Sequence, residues 1–129
     1  MKPPRVYIAE DFILIQEMIR EAIEPECDVV GLFEDGRDVL NAVLANPPDL
    51  LLVDASLPTM SGFAVAERAL QQHPALMVVF VTAHAEPAYV DRAFEIGAKA
   101  YILKGSLRAE LLPAIRTVLG GGMYKSAML

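Results

Sequence analysis

The sequence is poor in the residues that build disulfide frameworks and membrane spans. It has one cysteine in 129 residues, so Cys27 cannot form an internal disulfide, and the chain is not a disulfide-framed secreted domain. No apolar run reaches the roughly 18 residues of a transmembrane helix, and Met1–Pro4 is not followed by the apolar core of a secretory signal. We therefore expect a cytoplasmic protein without a membrane partner, in which Cys27 is a buried free thiol.

Basic residues and large aromatic rings are also scarce. Eleven Lys and Arg residues stand against 17 Asp and Glu residues, and the formal charge of −6 opposes attraction to a nucleic-acid backbone. The chain has no Trp and no basic stripe interleaved with aromatic rings for stacking on single strands. We expect no nucleic-acid binding by this domain alone; contact with DNA would require a further, missing domain.

Apolar residues are abundant and occur in short runs. They make up 54% of the chain against 22% charged residues, which indicates one globular domain with a substantial core. Runs too short for helices predict five strands, at 6–8, 29–32, 50–53, 77–81 and 100–103. Segments of helical period alternate with them, at 12–24, 36–46, 63–72, 87–96 and 107–119.

This alternation predicts the α/β class, with a parallel sheet between two layers of helices. Pro47-Pro48 and Pro74 close predicted helices, and Gly97 is expected at the position just after another. The predicted domain spans residues 5–119. Residues 120–129 begin with three glycines and are expected to be a linker, or the start of a connection to a missing output domain.

Polar residues follow four of the five predicted strands. The first strand is followed by Glu10-Asp11, the third by Asp54, the fourth by Thr82 and the fifth by Lys104. Because the carboxyl ends of parallel strands share one edge of the sheet, we expect these side chains to meet there. The alternative is that each only caps a strand or keeps its end soluble.

Three carboxylates at one edge repel one another unless a cation compensates. Oxygen ligands at a partly solvated rim suit Mg²⁺, and no Cys or His cluster supports zinc. With such an ion nearby, Asp54 is best situated to attack a phosphoryl donor and form an acyl phosphate. Lys104 would hold a phosphoryl oxygen, and Thr82 would donate a hydroxyl hydrogen bond to the group.

These residues closely resemble the receiver domain of two-component response regulators over residues 5 to about 119. Four segments carry the resemblance in order: Glu10-Asp11, 54–62 (DASLPTMSG), 81–83 (VTA) and 97–104 (GAKAYILK). The resemblance implies a flavodoxin-like (βα)5 three-layer sandwich with strand order 2-1-3-4-5.

The resemblance also implies a mechanism. Asp54 would accept a phosphoryl group from a sensor histidine kinase or phosphotransfer protein and lose it slowly to water, as a switch rather than a turnover enzyme. Asp11 and Asp54 would bind Mg²⁺ through their side chains, Glu10 through a water molecule and Ser56 through its backbone carbonyl.

Thr82 and Tyr101 resemble the switch pair of the family, in which the hydroxyl moves toward the phosphoryl group while the aromatic ring turns inward. The gain of about 1.5 to 2 negative charges would bias this two-state element. Two alternatives stay open: Tyr101 is only a packed ring with its hydroxyl in water, and His84 is either a modulator of phosphoryl lifetime or a solvated loop residue.

The sequence departs from many receivers after Lys104, where Gly105 replaces a proline that follows a cis peptide bond. A cis bond before a residue other than proline costs about 2.5 to 4 kcal/mol, so we expect a trans bond here. In this respect the chain resembles receivers attached to helix-turn-helix DNA-binding domains of the LuxR/NarL type, in which similar Lys-Gly or Lys-Asp sequences occur. This similarity implies a bacterial, transcription-regulating phosphorelay protein that forms a homodimer on phosphorylation.

Two rival functions remain. One is a receiver-like protein-interaction module without phosphorylation, which the intact acidic and basic residues disfavour. The other is an aspartate-nucleophile phosphatase that resembles haloacid dehalogenases; that family requires a second Asp two residues after the first, where this chain has Ser56.

Overall fold

The computed structural model describes residues 2–129, which form one sheet and five helices in alternation. The strands are β1 (Arg5–Ala9), β2 (Asp28–Phe33), β3 (Leu50–Val53), β4 (Met77–Thr82), β5 (Ala100–Leu103) and β6 (Tyr124–Lys125). The helices are α1 (Ile13–Ile23), α2 (Gly36–Ala45), α3 (Gly62–Gln72), α4 (Pro87–Ile96) and α5 (Leu107–Leu119). Within these residues, no helix is both long and apolar enough to cross a membrane.

The sheet is parallel throughout, with the order β2-β1-β3-β4-β5-β6. The predicted order of the first five strands is therefore confirmed. The count of five is corrected to six, because Tyr124–Lys125 pairs with β5 inside the stretch predicted to be a linker. A two-residue strand after a glycine run has no apolar periodicity, so its pairing depends on the β5 edge and not on its own sequence.

The core lies in two layers, one on each face of the sheet. Helices α1 and α5 cover one face with residues such as Ile19 and Leu111, both almost fully buried. Helices α2, α3 and α4 cover the other face, where Phe63 packs against Phe80 with ring centroids 5.2 Å apart. Strands β3 and β4 carry continuous apolar runs because both of their faces are buried.

Helix ends follow the predicted punctuation. Gly97 caps α4 with φ of 119°, a left-handed conformation that glycine adopts without the steric cost of a Cβ atom. His73, which precedes Pro74, is the C-cap residue of α3. At the start of α2, the Asp35 carboxylate accepts hydrogen bonds from two backbone amides of the first turn. The Asp35 cap fixes a loop at the carboxyl edge of the sheet, whereas Gly97 and His73 end their helices at the opposite edge.

Cys27 is a free thiol with 7% exposure, packed in the layer beneath α1 and α5. Burial, with a smaller contribution from the charge of Glu26, raises the pKa of this thiol from 9.0 to about 11. The thiolate is the reactive form, so Cys27 is inert near neutral pH.

We expect iodoacetamide at pH 8.5 to label Cys27 about 75-fold more slowly in the folded protein than in urea, because the rise in pKa from 9.0 to about 11 lowers the thiolate fraction at that pH by about this factor. Intact mass measures the labelling. Cys27→Ala is the blank, since the chain has no other cysteine. Folded and unfolded rates within a few-fold of each other would contradict the expectation.

Candidate functional site

Side chains from three strand ends meet at the carboxyl edge of the sheet. The Lys104 Nζ atom donates a hydrogen bond to Asp54 Oδ2 at 2.7 Å and forms an ion pair with Glu10 Oε1, also at 2.7 Å. Ala9 pairs with Val53 in the sheet register, which places Glu10 and Asp54 in adjacent positions beyond their strands. The predicted convergence of these residues is confirmed.

Burial strengthens the electrostatic interaction between Lys104 and the two carboxylates. Glu10 is 0% exposed and Asp54 is 5% exposed, so both carboxylates interact with Lys104 largely out of water. Burial raises the pKa of Glu10 above its ordinary value, although hydrogen bonds from Lys104 and the Phe12 amide oppose the rise. Burial by itself lowers the pKa of Lys104, but its bonds to Asp54 and Glu10 outweigh this and raise it. Lys104 therefore stays a cation.

The third carboxylate belongs to Asp11, which is exposed beside the two buried ones. Carboxylate oxygens of Glu10, Asp11 and Asp54 all lie within 4.8 Å of one another. One lysine leaves part of this negative charge uncompensated, and the donors are all hard oxygens at a rim open to water. This set fits a hydrated Mg²⁺ ion. The expected role of Ser56 through its carbonyl stays a prediction.

The loops after β3 and β4 contact each other over the acidic group. The Ser56 amide donates to Asp54 Oδ1 at 3.2 Å, and the Ser56 hydroxyl hydrogen-bonds His84 Nε2 at 2.7 Å. The His84 amide donates to the Thr82 hydroxyl at 3.4 Å. His84 is thus hydrogen-bonded to the site, while 34% of its side chain is exposed; its effect on phosphoryl lifetime stays a prediction.

Tyr101 lies wholly inside the protein. Its ring is 0% exposed and stacks on Phe80, and its hydroxyl donates to the His84 carbonyl oxygen at 2.7 Å. The alternative of a hydroxyl in water is therefore excluded in this structure. Thr82 is also fully buried, so both predicted switch residues contact the loop that carries His84.

The chain after Lys104 makes one turn of 3-10 helix, Lys104–Ser106, before α5 begins. The described residues contain no cis peptide bond, so the bond before Gly105 is trans as expected. A proline is not needed to hold Lys104 in place, since the turn and the two carboxylates position it.

Sequence reasoning did not find the residues of the adjoining cavity. A cavity of about 500 Å³ opens beside Asp11 and Ser56, and its other walls include Tyr89 and Arg92 of α4. The Arg92 guanidinium lies 4.6 Å from the Phe63 ring centroid. The spacing of three between Tyr89 and Arg92 indicates a shared helix face, but not which face meets the cavity.

A parallel α/β sheet with a lysine and three carboxylates at its carboxyl edge defines the receiver class of domain. The sequence matches the response regulator receiver domain family over residues 6–116, and the chain belongs to that family.

Individual relatives agree with this assignment. The chain is 30% identical over 122 residues to the transcriptional regulatory protein DegU of Brevibacillus brevis, and the match covers 93% of this chain and 52% of the relative. The chain thus spans about half the length of this curated relative.

Solved structures give the same result. A LuxR-family two-component response regulator from Aurantimonas is 29% identical, with a TM-score of 0.92 over 98% of this chain and 92% of the other. The signal receiver domain of the putative response regulator NarL from Mycobacterium tuberculosis is 32% identical, with a TM-score of 0.85 over 94% and 99% of the two chains.

Proposed function

We propose that this receiver domain is a Mg²⁺-dependent phosphoacceptor in which Asp54 takes a phosphoryl group from the phosphohistidine of a sensor histidine kinase or phosphotransfer protein. The observation that carries the proposal is the buried Asp54 carboxylate, hydrogen-bonded to Lys104 beside two further carboxylates. A buried aspartate that only stabilised the fold would not need two acidic neighbours that repel it.

The chemistry is one exchange of bonds. An Asp54 carboxylate oxygen attacks phosphorus, the bond from phosphorus to the imidazole nitrogen breaks, and an aspartyl phosphate remains. Lys104 holds a phosphoryl oxygen as a fixed cation, and the Thr82 hydroxyl donates to another. Glu10, Asp11, Asp54 and Ser56 would hold Mg²⁺, which when bound supplies charge neutralisation at the phosphoryl oxygens. Attack by water later removes the group.

The switch runs through the loop after β4. Thr82 and Tyr101 each hydrogen-bond the backbone of His84, so a move of the Thr82 hydroxyl toward a phosphoryl group disturbs the bond that holds the Tyr101 ring. The added charge of about 1.5 to 2 units supplies the bias. His84, bonded to Ser56, tunes how long the phosphoryl group survives.

The wider role belongs to a bacterial, cytoplasmic two-component pathway that regulates transcription. Residues 120–129 lead to an output domain of the helix-turn-helix type, which supplies any contact with DNA. Phosphorylation favours a homodimer. The relative DegU, named a transcriptional regulatory protein, supports this part of the proposal.

The direct test is incubation of the protein with Mg²⁺ and acetyl phosphate, followed by intact-mass measurement. We expect a gain of one phosphoryl group that vanishes when EDTA removes the metal, because the crowded carboxylates then repel the anionic donor. An unchanged mass under saturating donor and Mg²⁺ would contradict the proposal and favour an interaction module. Rapid multiple-turnover release of phosphate would favour the phosphatase alternative.

A further inference from the structure

The segment of residues 122–129, here called the C-terminal segment, covers the open edge of β5. Tyr124 packs against the core on one face of the sheet, and Leu129 packs against the core on the other. Its backbone donates from Tyr124 to the Lys99 carbonyl oxygen and from Ser126 to the Tyr101 carbonyl oxygen, both at 3.0 Å. The segment thus occupies an edge that would otherwise present unpaired backbone groups.

Ser126 is the anchor of the C-terminal segment. It is 1% exposed, although the residues on both sides of it are exposed. Its hydroxyl oxygen accepts a hydrogen bond from the Leu103 amide at 2.9 Å, while its own amide donates to Tyr101. One buried serine therefore spans the last three residues of β5.

The anchor lies next to the phosphoacceptor site. Leu103 is the register partner of Thr82 and directly precedes Lys104, whose ammonium group holds Asp54 and Glu10. Tyr101 is the other residue that Ser126 binds. A displacement of Thr82 or Lys104 therefore reaches Ser126 through Leu103, and a displacement of Tyr101 reaches it directly.

The C-terminal segment also has features that allow it to detach from the sheet. Its strand is two residues long, and it follows Gly120 to Gly122, of which Gly121 has φ of 94°. Met123 and Met128 are 58% and 81% exposed, so Tyr124 and Leu129, both only partly buried, supply the apolar contacts of the segment. A unit with few buried contacts and a glycine hinge opens without global unfolding.

We infer that the β5 edge is a regulated docking surface whose occupant is the chain's own C-terminal segment, and that phosphorylation of Asp54 releases the segment. The inference rests on the proposed function. A phosphoryl group draws Lys104 and Thr82 toward itself, which moves Leu103 away from the Ser126 hydroxyl. Release then uncovers the β5 edge and frees the chain that follows α5. The added charge at Asp54 thereby increases the range of positions open to the residues after α5.

Limited proteolysis with trypsin tests the release. Lys125 is exposed, but the bond between Lys125 and Ser126 lies in paired backbone and is cut only when the segment detaches. We expect Mg²⁺ and acetyl phosphate to speed this cleavage about fivefold or more, within the range of ordinary allosteric coupling. Intact mass measures both the loss of residues 126–129 and the phosphoryl gain. Wild type given acetyl phosphate with EDTA in place of Mg²⁺ should gain no phosphoryl group and show the basal rate.

Ser126→Ala tests the anchor. The variant should be cleaved faster than the wild type without phosphoryl donor, and the donor should add little. Ser106→Ala is the matched control, because the Ser106 side chain makes no capping hydrogen bond at α5. Phosphorylated wild type cut at the basal rate, or Ser126→Ala cut no faster than wild type, would overturn the inference while the proposed function stands. A wild type that gains no phosphoryl mass would overturn both.

Discussion

Replacement of Asp54 by Asn is expected to abolish phosphoryl incorporation while the protein stays folded. The amide is nearly isosteric, keeps an oxygen that can accept the Lys104 hydrogen bond, and leaves Glu10 as an ionic partner for that lysine. It has no carboxylate oxygen to attack phosphorus, so no acyl phosphate forms. Intact mass after incubation with Mg²⁺ and acetyl phosphate should therefore stay at the unmodified value.

The matched control is Asp28→Asn. Asp28 is exposed at the amino end of β2, opposite Arg5 in the register, and so lies at the other end of the sheet from Asp54. The control should gain one phosphoryl group at the wild-type rate. A full phosphoryl gain by Asp54→Asn would show that another residue is the acceptor and would contradict the proposed chemistry.

Gly62→Ala is expected to destabilise the protein far more than Gly105→Ala does. A Cβ atom at Gly62 would lie 1.9 Å from the Asp54 carbonyl oxygen and 3.0 Å from the Ala55 Cα atom. Both are backbone atoms, and the Gly62 amide is itself bound to the Ala55 carbonyl oxygen at 2.8 Å. The loop after β3 must shift to admit the methyl group, so we expect a loss of about 3 kcal/mol or more.

Urea denaturation measures this loss, and Gly105→Ala is the control. A Cβ atom at Gly105 meets no atom within 4 Å, so that variant should unfold within about 0.5 kcal/mol of the wild type. The shift of the β3 loop in Gly62→Ala also moves the backbone of Asp54. The fraction of this variant that stays folded should therefore be phosphorylated more slowly than the wild type. Equal free energies of unfolding for the two variants would contradict the expectation, because the loop after β3 would then admit a methyl group without strain.

Much of the fold could be predicted because its signals are local. The apolar run at 50–53 coincides with β3, and Pro87 to Ile96 and Leu107 to Leu119 coincide with α4 and α5. A strand buried on both faces and a helix with one apolar stripe can both be recognised from residues that are close in the sequence. Glu10, Asp54 and Lys104 were also predictable as a group, because parallel strands bring their carboxyl ends to one edge.

Other features depend on contacts between distant parts of the chain. The sequence left open whether the Tyr101 hydroxyl meets water; the His84 carbonyl, 17 residues away, decides that it does not. The sixth strand and the burial of Ser126 arise because β5 offers unpaired backbone groups beside a glycine hinge. Local sequence thus determined the five helices, the first five strands and the edge of the sheet at which the charged groups meet. Only the tertiary structure decided which hydrogen bonds form around the charged groups, since those bonds join residues that are distant in the sequence and become neighbours on folding.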